Sequence, residues 1–367
     1  MKSEIRTAII MVIVIAAAIG GLGIYFSSLE SPNSNKNTHE NPLQTLSIDK
    51  SKFDKAPELA GIAGYINTSP EDLKNQIKGK VVLYDIWTYS CINCQRTLPY
   101  IVAWNEKYSD KGLVIVGIHS PEFEFEKDIN NVKSAVEKFG IKYPVILDND
   151  KTVWDAFGNN YWPRKYIADS EGYIRYDHIG EGDYAETEKV IQNLLNERDA
   201  TLGLKTASAQ PLVNIQENTP SAATPELYFG YNFVYGRNQF GNVEGFHPDT
   251  DVAYSSPKEL QDDHFYLDGT WKNLSDRMTL VSDSGIIKLP YYAKDVNIVA
   301  SGQSELTILL DGNPLTQENA GSDVKDGKVF TSESRLYNLV KTNDVGRHTI
   351  EIKANNPGFE IYTFTFG

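Results

Sequence analysis

The sequence predicts a mixed α/β domain joined to an all-β domain. Three observations carry that reading. Between about residues 51 and 200, short apolar runs alternate with segments of helical period. One such run, Val81–Trp87, is followed at once by Cys91-Ile-Asn-Cys94 at the head of an amphipathic segment. Beyond residue 225 the helical period disappears. In-out alternation, broken by Asp311-Gly-Asn and Asn355-Asn-Pro-Gly turns, takes its place.

The N-terminus comes first. Ala8 to Phe26 is an uncharged apolar stretch, close to the minimum that spans a bilayer. Lys2 and Arg6 precede it, and the next charge is Glu30, so the positive-inside rule leaves the N-terminus cytoplasmic and the remainder outside. Residues 1–28 are therefore expected to be a single-pass, uncleaved membrane anchor, with a cleaved signal peptide as the rival reading. Residues 29–50 are rich in Ser, Asn and Pro and read as a flexible tether. The chain of 367 residues is too long for one ordinary core. Its net charge of −14, with no basic stripe, argues against nucleic acid as a partner.

Residues 51–200 form the α/β domain. Val81–Trp87 and 112–118 read as buried strands, 91–108 as a helix between them, and 143–147 as a short strand. Ile129, Val132, Val136 and Phe139 recur at helical spacing, and 153–157 is a short helix. Runs 165–168 and 173–176 flank Gly172 as a hairpin. Val190, Ile191, Leu194 and Leu195 mark a closing helix. Residues 201–224 read as a linker, and 225–367 as a β-sandwich or jelly roll.

Cys91 and Cys94 are the only cysteines. Their spacing puts both sulfurs on one face of a first helical turn, where backbone N–H groups and the helix dipole favour a thiolate. A disulfide closing so short a loop stabilises a fold little, so the pair reads as a working dithiol. Cys91, first in the helix, is the candidate nucleophile, and Cys94 the resolving thiol. His39, His119, His178, His247, His264 and His348 form no paired ligand spacing, and no metal is expected.

The first domain resembles the thioredoxin superfamily, more narrowly the TlpA/ResA-like membrane-tethered reductases and the extracytoplasmic part of DipZ-like proteins. Asp85 lies six residues before Cys91, Trp87 four before it, and Pro99 five after Cys94, as in that superfamily. Trp162-Pro163 matches its cis-proline, and Gly180 the glycine that ends its second hairpin strand. The stretch between Ile118 and Pro163 is longer than in a minimal thioredoxin, a feature of the TlpA-like and peroxiredoxin-like branches. His119-Ser-Pro-Glu122-Phe resembles a stretch of DipZ-like proteins. The lysine that thioredoxins place on the strand after Asp85 is missing, and Gly117 stands near its position. The last domain resembles the carbohydrate-binding-like sandwich of DipZ-like proteins, through Thr224-Pro-Glu-Leu-Tyr228-Phe-Gly230 and Tyr362-Thr-Phe-Thr-Phe-Gly367.

The resemblance implies a thioredoxin fold, a mixed central sheet with flanking helices. It implies a thiol-disulfide oxidoreductase with Asp85 as proton acceptor for Cys94. Trp162, Pro163, Trp87 and Glu122 are then expected at the substrate-binding surface. No cofactor is expected beyond the redox-active Cys91–Cys94 pair. Expected partners are proteins carrying disulfides and a membrane electron carrier for re-reduction. The neutral Ile92-Asn93 pair favours a reductant, with cytochrome c maturation as one setting. The alternatives are a disulfide oxidase or isomerase, a thiol peroxidase and a glycan-binding surface protein. Thr88, three before Cys91, is the peroxidase-like feature, against Tyr84 where that family has proline. A glycan ligand of the last domain would stack on Tyr228, Tyr231, Phe233, Tyr235 or Trp271. Asn67-Thr-Ser and Asn273-Leu-Ser are glycosylation sequons.

Overall fold

The structure, a computed structural model, describes residues 49–205, 211–215, 222–234 and 237–367. The expected anchor, most of the tether, parts of the 201–224 linker and Tyr235 lie outside the described residues. Among the described residues no helix is long and apolar enough to cross a membrane.

The α/β domain is built on a six-stranded sheet. Its strands are β1 (Gly64–Ile66), β2 (Val81–Trp87), β3 (Leu113–His119), β4 (Val145–Leu147), β5 (Arg164–Ala168) and β6 (Ile174–Ile179), in the order β1-β4-β3-β2-β5-β6. All seven residues of β2 are buried, as its unbroken apolar run predicts for a strand covered on both faces. β2 pairs parallel with β3 and antiparallel with β5. The helices are α1 (Pro70–Ile77), α2 (Ile92–Tyr108), α3 (Ile129–Lys138), α4 (Thr152–Ala156) and α5 (Tyr184–Thr201). Neither β1 nor α1 is anticipated by the periodicity. The start of α1 was nonetheless written locally: Ser69 caps it through the Asp72 amide, and Pro70 sits in its first turn.

Part of the linker folds back onto this domain. The Val213 amide donates to Glu188 Oε2 at 2.7 Å, and the Tyr100 hydroxyl donates to the Ile215 carbonyl at 3.1 Å.

The C-terminal domain comprises β7 (Leu227–Tyr228), β8 (Asp251–Tyr254), β9 (Tyr266–Asn273), β10 (Met278–Leu280), β11 (Gly285–Ser301), β12 (Ser304–Leu310), β13 (Asn313–Pro314), β14 (Lys328–Thr331), β15 (Arg335–Ala354) and β16 (Glu360–Phe366). Its strands form one hydrogen-bonded network. Strand β11 joins its parts: its first half pairs with β9, its second half with β16, and β15 follows it throughout. Register shifts near Ala293 and Val296 interrupt this long pair, as bulges do. Trp271, Phe265, Phe229 and Ile298 are fully buried in the core.

The two domains pack against each other over the start of α2. Ile92 and Phe123 from the first, and Tyr228, Val299, Leu336 and Tyr362 from the second, form one buried cluster. The Phe123 ring lies 5.1 Å from that of Tyr362 and 5.8 Å from that of Phe233. Polar bonds flank the cluster: the Tyr89 hydroxyl donates to the Ser334 carbonyl, and Arg96 donates to the Phe366 carbonyl.

Candidate active site

Cys91 is the N-cap of α2 and is half-buried; its sulfur accepts from the Cys94 amide at 3.4 Å. Cys94, in the first turn, is buried. Both are free thiols in this structure. Burial, the neighbouring Cys91 sulfur and the Asp85 carboxylate push the Cys94 thiol well up.

Asp85 is buried on β2, with Oδ1 lacking a hydrogen-bond partner. Burial pushes its carboxyl up to about 6, against the opposing pull of Lys165. Lys165 replaces the missing lysine from the other side. Gly117 is the β3 residue opposite Asp85, whereas Lys165 is opposite it on β5. Lys165 is fully buried, and its ammonium donates to the Gly180 carbonyl at 3.0 Å. Sequence reasoning missed it, although a lysine heading the apolar run of a hairpin strand was its signal. Gly117 itself leaves room for Trp87: a Cβ there would stand 3.0 Å from the indole nitrogen.

The Trp162-Pro163 peptide is cis. Gly180 bonds back to this turn, its amide donating to the Pro163 carbonyl at 2.8 Å. The Trp162 indole donates to the Ser120 carbonyl at 2.9 Å, and its ring lies 4.2 Å from that of Trp154.

Cys91 opens into a cleft of about 50 Å³ between the domains, lined also by Ser90, Glu122, Trp162, Glu226, Tyr228 and Thr365. Such a space admits a few waters. Glu122 and Glu226 keep some surface at the cleft yet are densely surrounded by protein. Tyr228 Oη lies 2.7 Å from Glu122 Oε1 and 3.0 Å from Glu226 Oε2. Burial, then the charges of Glu226 and Glu126, push Glu122 up to about 8.

Glu126, also missed from the sequence, ties the walls of the cleft together. It is fully buried and accepts from the Ser90 hydroxyl at 2.5 Å and from the Glu122 and Phe123 amides at 2.6 and 3.0 Å. His119 is fully buried, accepts the Tyr89 amide at Nε2, and is held down at about 3 by burial.

A half-exposed thiol, a buried thiol one turn deeper and a buried carboxyl beside it can exchange disulfides and move the accompanying proton. The Redoxin family matches residues 53–195, and the Thioredoxin like C-terminal domain family matches residues 224–367. Over 144 residues the chain is 31% identical to the thiol-disulfide oxidoreductase YkuV of Bacillus subtilis, covering 39% of this chain and 95% of YkuV. The chain belongs to the thioredoxin-like thiol-disulfide oxidoreductases. It is also 37% identical over 315 residues to Protein DipZ of Mycobacterium tuberculosis, covering 85% of this chain and 43% of DipZ. The chain thus spans less than half the length of that relative. A thioredoxin-like protein whose solution structure is of the oxidized form is 29% identical, with 41% of this chain and 99% of that chain covered and a TM-score of 0.36.

In this thioredoxin-like oxidoreductase, Cys91 and Asp85 lie within electrostatic reach of Cys94, and Trp162 and Glu122 join Cys91 at the cleft. Trp87 does not reach a substrate-binding surface. It is fully buried, edge-on to the His119 ring at 5.3 Å, and acts through packing. Three of the aromatic residues considered for glycan stacking are otherwise engaged. Trp271 is fully buried, while Tyr228 and Phe233 pack toward Phe123. The Asn273 sequon is buried, and the Asn67 amide nitrogen donates to the Ile141 and Tyr143 carbonyls. Among the described residues no group of three His, Cys, Asp or Glu side chains is arranged for a metal ion.

Proposed function

We propose that this chain is an extracytoplasmic, membrane-anchored thiol-disulfide oxidoreductase that reduces disulfides in proteins. The observation that carries the reading is the depth difference of the pair: Cys91 opens into the cleft, while Cys94 is buried beside Asp85. Cys91 attacks a substrate disulfide and is held in a mixed disulfide. Cys94 then yields its proton to Asp85, attacks Cys91 and releases the reduced substrate. The dithiol is the whole redox group, recharged by a membrane electron donor. The neutral Ile92-Asn93 pair supports the reducing direction, and the apolar run from Ala8 to Phe26 supports the anchor. Apocytochromes awaiting haem fit as substrates in that compartment.

Trapping tests this. Cys94→Ser should accumulate mixed disulfides through Cys91, and Cys91→Ser should accumulate few. Equal trapping by both variants reverses the assignment of attacker and resolver. A reduction potential above about −150 mV, near the oxidant end of the scale, would overturn the reducing direction.

A further inference from the structure

We propose that Glu226 and Tyr228 of the C-terminal domain complete the redox site: with Glu122 they hold a proton in the Cys91 cleft and deliver it to the sulfur displaced when Cys91 forms its mixed disulfide. The inference rests on Cys91 as attacker.

Hydrogen-bond arithmetic carries it. A tyrosine hydroxyl has one proton. Tyr228 Oη nevertheless lies within hydrogen-bond distance of two carboxyls, at 2.7 and 3.0 Å. Both contacts are satisfied only when one carboxyl is itself protonated and donates to the phenol oxygen. The surroundings say which. Glu122 faces Glu226 and Glu126, with Lys151 as its only opposing charge among the causes that shift it. Burial pushes Glu226 up as well, but it faces Arg237 and Arg96, which favour its ionised form, and no carboxylate adds to the push as Glu226 and Glu126 do for Glu122. The proton therefore sits on Glu122, whose O–H donates to Tyr228, whose own O–H donates to the Glu226 carboxylate. Burial and the two carboxylates hold Tyr228 well above the ordinary phenol range, so it keeps its proton. A second feature marks the cleft as built for polar chemistry. Thr365 lines it, and its buried Oγ1 has no hydrogen-bond partner.

The step balances. The Cys91 thiol first releases its proton to solvent; Cys91 Sγ then supplies an electron pair to one sulfur of the substrate disulfide, a new S–S bond forms, and the old one breaks. The displaced sulfur leaves with the bonding pair and takes the Glu122 proton. When Cys94 closes the internal disulfide, the second substrate sulfur leaves and is protonated from solvent, while Asp85 returns the Cys94 proton to solvent. The substrate gains two electrons and two protons, the dithiol loses the same, and Glu122 is reprotonated from solvent. Glu122 is the proton donor, and Glu226 and Tyr228 are positioning residues.

The test compares two leaving groups in single-turnover attack by Cys91 on the full chain. An aliphatic disulfide expels a thiolate of ordinary basicity, which needs the proton. A nitroaryl disulfide expels a thiolate that is stable without one. In Glu226→Gln, the new amide can donate to Tyr228, freeing the phenol proton for Glu122 and leaving Glu122 ionised. Glu122→Gln has no proton to give. Both variants should attack the aliphatic disulfide about 100-fold more slowly near pH 8, within the usual range of acid catalysis, and attack the nitroaryl disulfide at the parent rate. Lowering the pH to about 6 should restore Glu226→Gln, whose Glu122 is reprotonated, and not Glu122→Gln. Parallel loss with both disulfides, or no loss with either, overturns the inference. Attack that persists in Cys91→Ser overturns the underlying assignment instead.

Discussion

Asp85 and Lys165 stand opposite one another across the antiparallel pair β2–β5, both buried and both within electrostatic reach of Cys94. The cation moderates a carboxyl that burial drives upward, leaving it at about 6. At that position the group is ionised enough near neutral pH to accept a proton, yet basic enough to hold it. A lysine on the parallel neighbour β3 would have served similarly. Here Gly117 occupies that place, and the hairpin strand supplies the charge instead.

Asp85→Asn should separate stability from activity. The folded value of about 6 lies above the unfolded one, so burying the ionised form opposes folding. That cost is absent below about pH 4, grows from there to pH 6, and is complete above it. Its scale is about 3 kcal/mol for a shift of this size. The variant should be more stable than the parent at pH 8 and equal to it near pH 4 by urea denaturation. Release from a trapped mixed disulfide should slow by about 100-fold. A variant less stable than the parent at pH 8 would make Asp85 a structural carboxylate.

The α/β domain was legible where periodicity was strong. The unbroken run Val81–Trp87 and the helical spacing from Ile129 to Val136 both became the elements they predict. The pair Cys91 and Cys94 was legible because few chemistries need two cysteines at that spacing. Lys165 and Glu126 were not. Single-residue spacing cannot say which strand becomes a neighbour, and Lys165 acquires its role only through the β2–β5 register. Glu126 looks like one more surface acid in Glu122-Phe-Glu-Phe-Glu-Lys until the loop closes around it. The sequence offered Tyr228 and Phe233 a chemical role only as a platform for a sugar. Their place against Phe123 depends on the docking of two domains, which has no local signature.

That docking controls access to Cys91. The cleft of about 50 Å³ admits small reagents. In the parent, iodoacetamide should therefore label Cys91 much faster, relative to a free cysteine, than a polymer-linked maleimide does. Phe123→Ala removes a ring from the centre of the interdomain cluster, at about 3–5 kcal/mol for a buried phenylalanine. The bulky reagent should then gain at least tenfold while the small one changes little. Equal relative rates in the parent would mean that the C-terminal domain does not cover the thiol in solution.

Glu126→Gln probes the brace behind the cleft. The carboxylate accepts Ser90 on one oxygen and the Glu122 and Phe123 amides on the other. An amide has one acceptor oxygen, so its N–H₂ must face a backbone donor on one side. Bonds to a charged group are worth about 1.5–3 kcal/mol each, and the variant should lose about 2–4 kcal/mol by urea denaturation. A loss below about 0.5 kcal/mol, the level of a neutral surface substitution, would remove Glu126 from this role.

His119 should make the domain sensitive to acid. It is fully buried, and because Nε2 accepts the Tyr89 amide, its neutral form carries the proton on Nδ1. Its folded value, about 3, lies below the unfolded value, so the unfolded chain binds a proton that the folded chain refuses. Stability from this group is complete above about pH 6.5 and is lost as pH falls from there toward 3. The slope approaches about 1.4 kcal/mol per pH unit within that window. His119→Gln keeps an acceptor for the Tyr89 amide and has no proton to gain. Its stability should therefore fall less steeply than the parent's between about pH 6 and pH 4. Parallel curves would show that the ring is protonated in the folded state as readily as in the unfolded one, and that the Trp87–His119–Tyr89 stack tolerates the charge.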